Sequence, residues 1–153
     1  EFRAIHGVLF SLEDESLLIT APHLGVDQLK TNDVAELISP TSFKLLGRLD
    51  DVINSGGIKL HPDKIEGDLL SLGLNDICIS SRQNEQLGEQ LVLVYVGPFK
   101  ELEVSKAVSL LPRIKRPKWR FEVEQKPVLP SGKLDRKELR RLIREFPHLL
   151  FPL

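Results

Sequence analysis

The fold of this chain is decided by the stretch Gly47-Arg48-Leu49-Asp50-Asp51-Val52-Ile53-Asn54-Ser55-Gly56-Gly57-Ile58-Lys59-Leu60. It places an arginine, paired carboxylates, two adjacent glycines and a lysine close together. Adjacent glycines between short apolar runs are typical of a β-hairpin turn, because glycine adopts a positive φ without steric cost. The stretch therefore predicts a hairpin with charged side chains near its turn.

A second stretch, Pro130-Ser131-Gly132-Lys133-Leu134-Asp135-Arg136, lies farther along the chain and places a lysine on a glycine turn just before a predicted helix. It is not a phosphate-binding loop of the Walker type, because that pattern requires a glycine where Pro127 stands. On its own, such a lysine would usually be a solvated residue ahead of a helix. The order and spacing of the two stretches together favour a functional role.

These two stretches and Thr31-Asn32-Asp33 resemble, in the same order, three motifs of the C-terminal part of AMP-forming acyl-CoA synthetases. That superfamily also contains luciferases and the adenylation domains of peptide synthetases. Residues 29–37 and 52–60 are most similar to bacterial o-succinylbenzoate-CoA ligases of menaquinone synthesis. The resemblance covers most of the chain, from about residue 17 to residue 146.

The resemblance implies two regions, a β-rich end of a large N-terminal adenylation domain at residues 1–46 and a C-terminal lid domain at residues 47–153. The chain contains no methionine and begins on Glu1-Phe2-Arg3. We therefore expect a piece of a longer enzyme, inactive without the missing N-terminal domain.

The apolar spacing predicts an α+β fold. Alternating apolar residues up to about residue 46 indicate strands and a hairpin, and further strands are expected at residues 76–80, 91–96 and 119–123, with a polar turn at residues 82–85. Helical spacing recurs in three sets of residues: Ile65, Leu69 and Leu72 after Pro62; Val104, Ala107, Val108 and Leu111; and Leu139, Leu142, Ile143 and Phe146 after a capping box of Asp135 and Glu138. The predicted lid is a small three-stranded antiparallel sheet with flanking helices and a β-hairpin, preceded by a β-rich remnant.

The resemblance implies a catalytic role for Lys133 in joining a carboxylate to the α-phosphate of ATP. A positioned ammonium offsets the repulsion between two anions while further charge develops. Asp33 and Arg48 correspond to residues that bind the ribose and nucleotide, and Lys59 to a basic residue that faces the nucleotide. Asn32 stands where the family usually has glycine, and asparagine tolerates the same left-handed backbone. A turn-forming Asn-Asp is the alternative.

Asp50 corresponds to the hinge about which the lid rotates between the two half-reactions. Gly56 and Gly57 would line the tunnel for the pantetheine arm of CoA, where a Cβ would obstruct it. The alternatives are a surface ion pair between Arg48 and Asp50, worth little in stability, and a plain hairpin turn.

A basic cluster surrounds Trp119 and could attract the phosphates of CoA; it consists of Arg113, Lys115, Arg116, Lys118 and Arg120. A solvated basic surface is the alternative. ATP with Mg²⁺ and CoA are the expected co-substrates, with AMP as a product. The four histidines show no metal-ligand spacing, so no resident metal is expected, and Cys78 is expected in the core.

The composition is that of an ordinary globular protein, with 41% hydrophobic and 28% charged residues. A net charge of −1 gives no case for nucleic acid, and the longest apolar run is too short to span a membrane. One cysteine cannot form an internal disulfide, so a cytoplasmic setting is the simplest interpretation.

Three functions remain open. The leading one is ligation of o-succinylbenzoate to CoA. The others are the ligation or adenylation of another carboxylic acid, and a non-catalytic interaction module that keeps the lid fold.

Overall fold

The computed structural model describes residues 1–153. The chain forms two compact units, Glu1–Val52 and Ile53–Leu153, here called the N-terminal and C-terminal units. The boundary lies six residues beyond the one that the resemblance implies, because residues 47 and 48 continue a strand of the first sheet and a short 3-10 turn at Leu49–Asp51 follows it. The assignment of these units to parts of a larger enzyme stays a prediction.

The N-terminal unit is a five-stranded antiparallel sheet with the strand order β1-β5-β4-β3-β2. The strands are β1 Phe2–Arg3, β2 Leu9–Glu13, β3 Ser16–Ala21, β4 Val26–Ser39 and β5 Ser42–Arg48. A tight turn between β4 and β5 forms the hairpin that the sequence predicted. Its small apolar core contains Leu17, Ala35 and Phe43.

The C-terminal unit contains a six-stranded sheet and three helices. Its elements are β6 Ile53–Ser55, β7 Ile58–Leu60, α1 Pro62–Ser71, β8 Ile77–Asn84, β9 Gly88–Val96, α2 Glu101–Leu110, β10 Trp119–Val123, α3 Arg136–Glu145 and β11 Leu150–Pro152. The sheet order is β11-β10-β9-β6-β7, and β8 pairs with β9. One apolar cluster joins the sheet to α1 and α2, and a second joins it to α3.

The α+β class is confirmed, but the sheet differs from the prediction in two respects. It has six strands rather than three, because the hairpin β6–β7 and the short β11 add to it. Strand β10 runs parallel to β9, whereas an all-antiparallel sheet was predicted. The connection between them contains α2, and a helical crossover of this length returns the chain in the same direction.

Some element boundaries also differ from the predictions. Strand β8 extends through residues 82–84, which were expected to form a turn, because each pairs with a residue of β9. Leu72 caps α1 and is 41% exposed, and Leu74 enters the core instead. Phe146 likewise lies at the cap of α3 and is exposed.

No helix in this structure combines the length and apolar character needed to cross a bilayer. No group of three or more His, Cys, Asp or Glu side chains is arranged to hold a metal ion. Cys78 is buried, as predicted.

Candidate functional site

In the N-terminal unit, Asp33 and Arg48 lie opposite each other on β4 and β5. Arg48 Nη1 is 3.3 Å from Asp33 Oδ1, and the side chains are 52% and 33% exposed. The hydroxyl of Thr31 accepts the N–H of Asp33 at 3.2 Å and donates to the carbonyl of Leu17 at 2.9 Å. A fixed carboxylate and a guanidinium thus stand side by side, both within reach of a ligand.

Asn32 lies inside strand β4 and does not have a positive φ. Asn32 therefore does not use the left-handed backbone that asparagine tolerates, and the alternative of a local Asn-Asp turn is wrong. Because the segment is held in a strand, the Asn32 amide is directed to Asp50 and donates to its Oδ1. The sequence analysis gave an ion pair between Arg48 and Asp50 as an alternative. In the structure Arg48 pairs instead with Asp33 on the neighbouring strand.

The hairpin of the C-terminal unit turns on Gly56 and Gly57, whose φ values are +59° and +80°. Two consecutive positive φ angles fit a type I′ turn, which matches the twist of the flanking strands. No heavy atom lies within 4 Å of a Cβ built on Gly57. The N–H of Gly56 donates to the carbonyl of Leu87 at 2.8 Å, which ties the hairpin to the turn between β8 and β9. The hairpin therefore presents a thin backbone edge, and the exposed Lys59 lies on β7 opposite Asn54.

Lys133 lies at the end of an ordered turn rather than in a loose loop. The N–H of Leu129 donates to the carbonyl of Lys133, and the N–H of Gly132 donates to the carbonyl of Leu129, both at 2.8 Å. Gly132 has φ +78°, so the turn requires the glycine for its shape. The exposed Lys133 ammonium has no ion pair or hydrogen bond. A rigid backbone thus presents an unpartnered positive charge.

The helix after this turn begins as predicted, with Asp135 Oδ1 accepting the N–H of Glu138 at 3.0 Å. The reciprocal half of the predicted capping box is not formed. The Glu138 carboxylate binds Arg141 instead, and the N–H of Asp135 donates to the carbonyl of Pro127 at 2.8 Å. This last bond anchors the base of the lysine turn.

Arg136 is a residue whose role the sequence analysis missed. Its side chain is 10% exposed and contacts Asp63 at 2.6 Å and Glu66 at 2.9 Å on α1, and it donates to the carbonyl of Ile79 on β8 at 3.0 Å. Burial lowers the pKa of Arg136, but hydrogen bonds and attraction from Glu66 and then Asp63 raise it above its ordinary value. The sequence did contain a signal for this contact, since Asp63 and Glu66 are three residues apart and so lie on one face of the predicted helix. Arg136 thus holds the start of α3, and with it the lysine turn, against α1 and β8.

Most of the basic cluster around Trp119 is engaged within the protein. Lys115 pairs with Asp68 at 2.9 Å. Arg116 donates to the carbonyls of residues 109 and 111 at the end of α2, and the Arg120 guanidinium lies 3.9 Å from the centre of the Phe99 ring. Only Arg113 and Lys118 are exposed and unpartnered, so the cluster is a weaker anion site than its composition indicates.

No protein-family model matches the chain. Among curated proteins it is 35% identical over 131 residues to one of the plipastatin synthase subunits of Bacillus subtilis, covering 84% of this chain and 5% of that protein. It is 29% identical over 122 residues to a salicylyl-CoA synthase / salicylate adenylyltransferase of a Streptomyces species, covering 75% of this chain and 22% of that enzyme.

Two solved structures show the same fold. The ATP-bound MatB of Rhodopseudomonas palustris has a TM-score of 0.77 at 16% identity, with 94% of this chain and 35% of that chain covered. The o-succinylbenzoate CoA synthetase of Bacillus subtilis, in complex with its acyl-adenylate intermediate, has a TM-score of 0.74 at 21% identity, with 88% and 34% covered.

The chain therefore has the fold of the C-terminal part of the adenylate-forming superfamily, to which the AMP-forming acyl-CoA synthetases belong. It spans about a twentieth of the length of the plipastatin synthase subunits that it matches.

Proposed function

We propose that this chain is the C-terminal portion of an ATP-dependent enzyme that activates a carboxylic acid as its acyl-adenylate and then forms a thioester with CoA. The observation that carries the proposal is the unpartnered ammonium of Lys133, presented by an ordered turn directly before α3. The superfamily fold supports it. The chain covers only about a third of the length of the two structural neighbours. The remaining ATP-binding and acid-binding residues would therefore come from an N-terminal domain, and this portion alone would be inactive.

Asp33 and Arg48 are proposed to hold the nucleotide. A carboxylate accepts hydrogen bonds from two neighbouring hydroxyl groups, as on a ribose, and an adjacent guanidinium offers planar donors to oxygens of the same ligand. Their pairing across β4 and β5 leaves both groups partly exposed, which supports this role. Mg²⁺ would enter with ATP as part of the substrate complex.

Lys133 is proposed to stabilise the negative charge that develops as the acid attacks the α-phosphate of ATP and pyrophosphate leaves. In the second step the thiol of CoA attacks the acyl-adenylate, and AMP is the leaving group. Asp50 would be the hinge, and it lies two residues before the last residue of the N-terminal unit. Rotation there would replace Lys133 at the reaction centre by the hairpin, with Gly56 and Gly57 beside the pantetheine arm and Lys59 near the nucleotide.

The acid is proposed to be o-succinylbenzoate. The sequence similarity of residues 29–37 and 52–60 to o-succinylbenzoate-CoA ligases supports this, and so does the fold shared with the o-succinylbenzoate CoA synthetase. A second candidate is an adenylation unit of a peptide synthase, favoured by 34–35% identity to three plipastatin synthase subunits. Acid-dependent exchange of pyrophosphate into ATP by the full-length protein, with o-succinylbenzoate against a panel of amino acids, distinguishes the two.

A non-catalytic module that keeps only the fold is the remaining alternative. Such a module would have no reason to keep an unpartnered lysine on an ordered turn together with the pair of Asp33 and Arg48. Absence of pyrophosphate exchange by the full-length protein with every acid tested would favour the module.

Replacement of Lys133 by alanine in the full-length enzyme tests the proposal. Loss of a preorganised charge at a developing phosphate charge typically costs ~3–4 kcal/mol, or about 10²–10³ in rate, and that loss should fall on adenylation. With chemically prepared acyl-adenylate and CoA, the variant should retain activity within about threefold of the parent, since exposed substitutions perturb little.

Lys137→Ala is the matched control, because Lys137 is an exposed lysine on the adjoining helix with no ion pair or hydrogen bond. It should leave both half-reactions unchanged. If Lys133→Ala is as slow on the preformed adenylate as on ATP and acid, the proposal that Lys133 acts only in adenylation is wrong.

A further inference from the structure

The C-terminal unit contains a cavity of about 490 Å³ that is separate from the lysine turn and the hairpin. It lies between α3 with the segment that follows it and the ends of strands β8, β9 and β10. Ile143, Leu150 and the indole of Trp119 supply its apolar lining, and Arg82, Arg140 and Arg144 also line it. Its size is in the range of sites that enclose small organic molecules.

The aromatic part of the lining is held in place from two sides. Trp119 Nε1 donates to Gln90 Oε1 at 3.1 Å, which fixes the plane of the ring. The Arg82 guanidinium lies 4.4 Å from the centre of the indole. The guanidinium is stacked over one face of the indole, so a flat apolar group entering the cavity would meet the part of the ring that Arg82 leaves uncovered, with a cation in reach of an anionic head.

The charge of the lining is positive and incompletely compensated. Glu89 is its one acidic residue. The Glu89 carboxylate accepts hydrogen bonds from the hydroxyl of Ser81 at 2.6 Å and from the N–H of Asn54 at 2.9 Å. Its single negative charge is smaller than the charge of the three arginines in the lining. Arg144 has no ion pair or hydrogen bond within the protein. Arg82 is half-buried and Arg144 is exposed, and a guanidinium next to apolar surface attracts an anion more strongly than one in open solvent.

We propose that this cavity binds a small organic anion with a flat apolar body and a carboxylate or phosphate head. The body would lie against Trp119 and Ile143, and the head would bind Arg144 and Arg82. Arginine suits this task because its fork of donors matches both kinds of head. The site is distinct from the nucleotide and CoA sites proposed above, since none of their residues lines it.

Nuclear magnetic resonance of the 153-residue chain tests the proposal without further assignment, because Trp119 is its only tryptophan and gives a single indole N–H signal. The probes are biphenyl-4-carboxylate, biphenyl-4-yl phosphate and the neutral biphenyl-4-methanol. Both anions should shift the indole signal saturably, and the neutral alcohol should bind about tenfold more weakly, because it lacks the charge-assisted hydrogen bonds. The tighter of the two anions identifies the preferred head group.

Arg144→Gln and Arg82→Gln should each weaken binding of the anions by about tenfold and leave the alcohol unchanged. The control Arg113→Gln removes the same charge from an exposed residue outside the cavity and should change the affinity less than about twofold. Thermal unfolding of each variant checks its fold, since Arg144 in the last turn of α3 also interacts with the helix dipole. Equal affinity for anions and alcohol, an equal effect of Arg113→Gln, or no saturable shift would each overturn the proposal.

Discussion

At the scale of single residues, the protein separates charges that hold the fold from charges that remain available. Arg136 and Lys115 are tied to carboxylates on α1. Lys133, by contrast, has an ordered backbone and an unpartnered ammonium. An isolated exposed ammonium adds little stability, and its placement on an ordered turn supports the ligand-binding role proposed above.

The burial of Arg136 predicts a large effect on stability. Arg136→Leu leaves Glu66 partly buried without its cation and should lower the free energy of unfolding by roughly 3 kcal/mol, measured by urea denaturation. Arg141→Leu is the matched control on the same helix, since Arg141 also contacts two carboxylates but is exposed. It should have little effect. Similar losses in the two variants would show that burial does not govern the contribution of Arg136.

Cys78 predicts a pH dependence of stability. Burial, followed by the charge of Glu66, raises the pKa of its thiol from 9.0 to about 12. Between these values the unfolded chain releases the thiol proton while the folded chain retains it. Stability should therefore be intact below about pH 9 and fall by ~1.4 kcal/mol per pH unit above it.

The control for this prediction is Cys78→Val, which fills the same buried position without an ionisable group. Urea midpoints of the two proteins should be parallel from pH 7 to 8.5 and diverge from pH 9 upward. Other groups titrate equally in both proteins. If the urea midpoints of the two proteins stay parallel up to pH 10.5, the raised pKa of Cys78 is contradicted.

At the scale of elements, the sequence predicted what local spacing determines and failed where distant pairing decides. Buried Ile65, Leu69, Val104 and Leu139 lie on the helix faces that their spacing predicted. The extension of β8 into polar residues was missed, because those residues are held by their pairing with β9 rather than by their own apolar pattern. The parallel direction of β10 depends on where the chain returns after α2, and a local sequence pattern does not determine that position.

The candidate site shows the same division. The glycine turn and the exposed Lys133 follow from short motifs. The hydrogen-bond partners of Arg48, Asn32 and Arg136 could not be predicted from short motifs, because each partner lies at least 15 residues away along the chain. Contacts of this kind depend on strand register and helix packing, which the sequence analysis could not fix.

The hairpin predicts a selective defect for Gly57→Leu in the full-length enzyme. The substitution should slow consumption of the acyl-adenylate by CoA about tenfold or more, because a misplaced group at a reaction path can cost as much as 10²-fold, and leave adenylation within about threefold. Single-turnover measurement of acyl-AMP formation and decay separates the two steps.

Gly97→Leu controls for backbone strain. Gly97 has φ +79° against +80° for Gly57, and no heavy atom lies near a Cβ at either position. Both substitutions should therefore cost a similar ~1–2 kcal/mol of strain. If Gly97→Leu slows the thioester step as much as Gly57→Leu, strain rather than a blocked pantetheine path explains the defect.

At the scale of the whole molecule, the two units differ in how much apolar surface they bury. The C-terminal unit has two apolar clusters, one on each face of its sheet. The N-terminal unit, 52 residues long, has one small cluster and leaves Ile5, Leu24, Leu29 and Ile38 more than half exposed. A unit of this size with so small a core is expected to be only marginally stable in isolation.

We therefore predict that the two units unfold in separate steps. In urea, far-ultraviolet circular dichroism should lose part of its signal before the fluorescence of Trp119 changes, because this single tryptophan reports only on the C-terminal unit. Leu17→Ala removes a buried side chain from the N-terminal core and should destabilise the first step by about 2–4 kcal/mol. The fluorescence midpoint should not move in this variant. Coincident transitions by the two methods, or a shift of the fluorescence midpoint by Leu17→Ala, would show that the chain unfolds as one cooperative body.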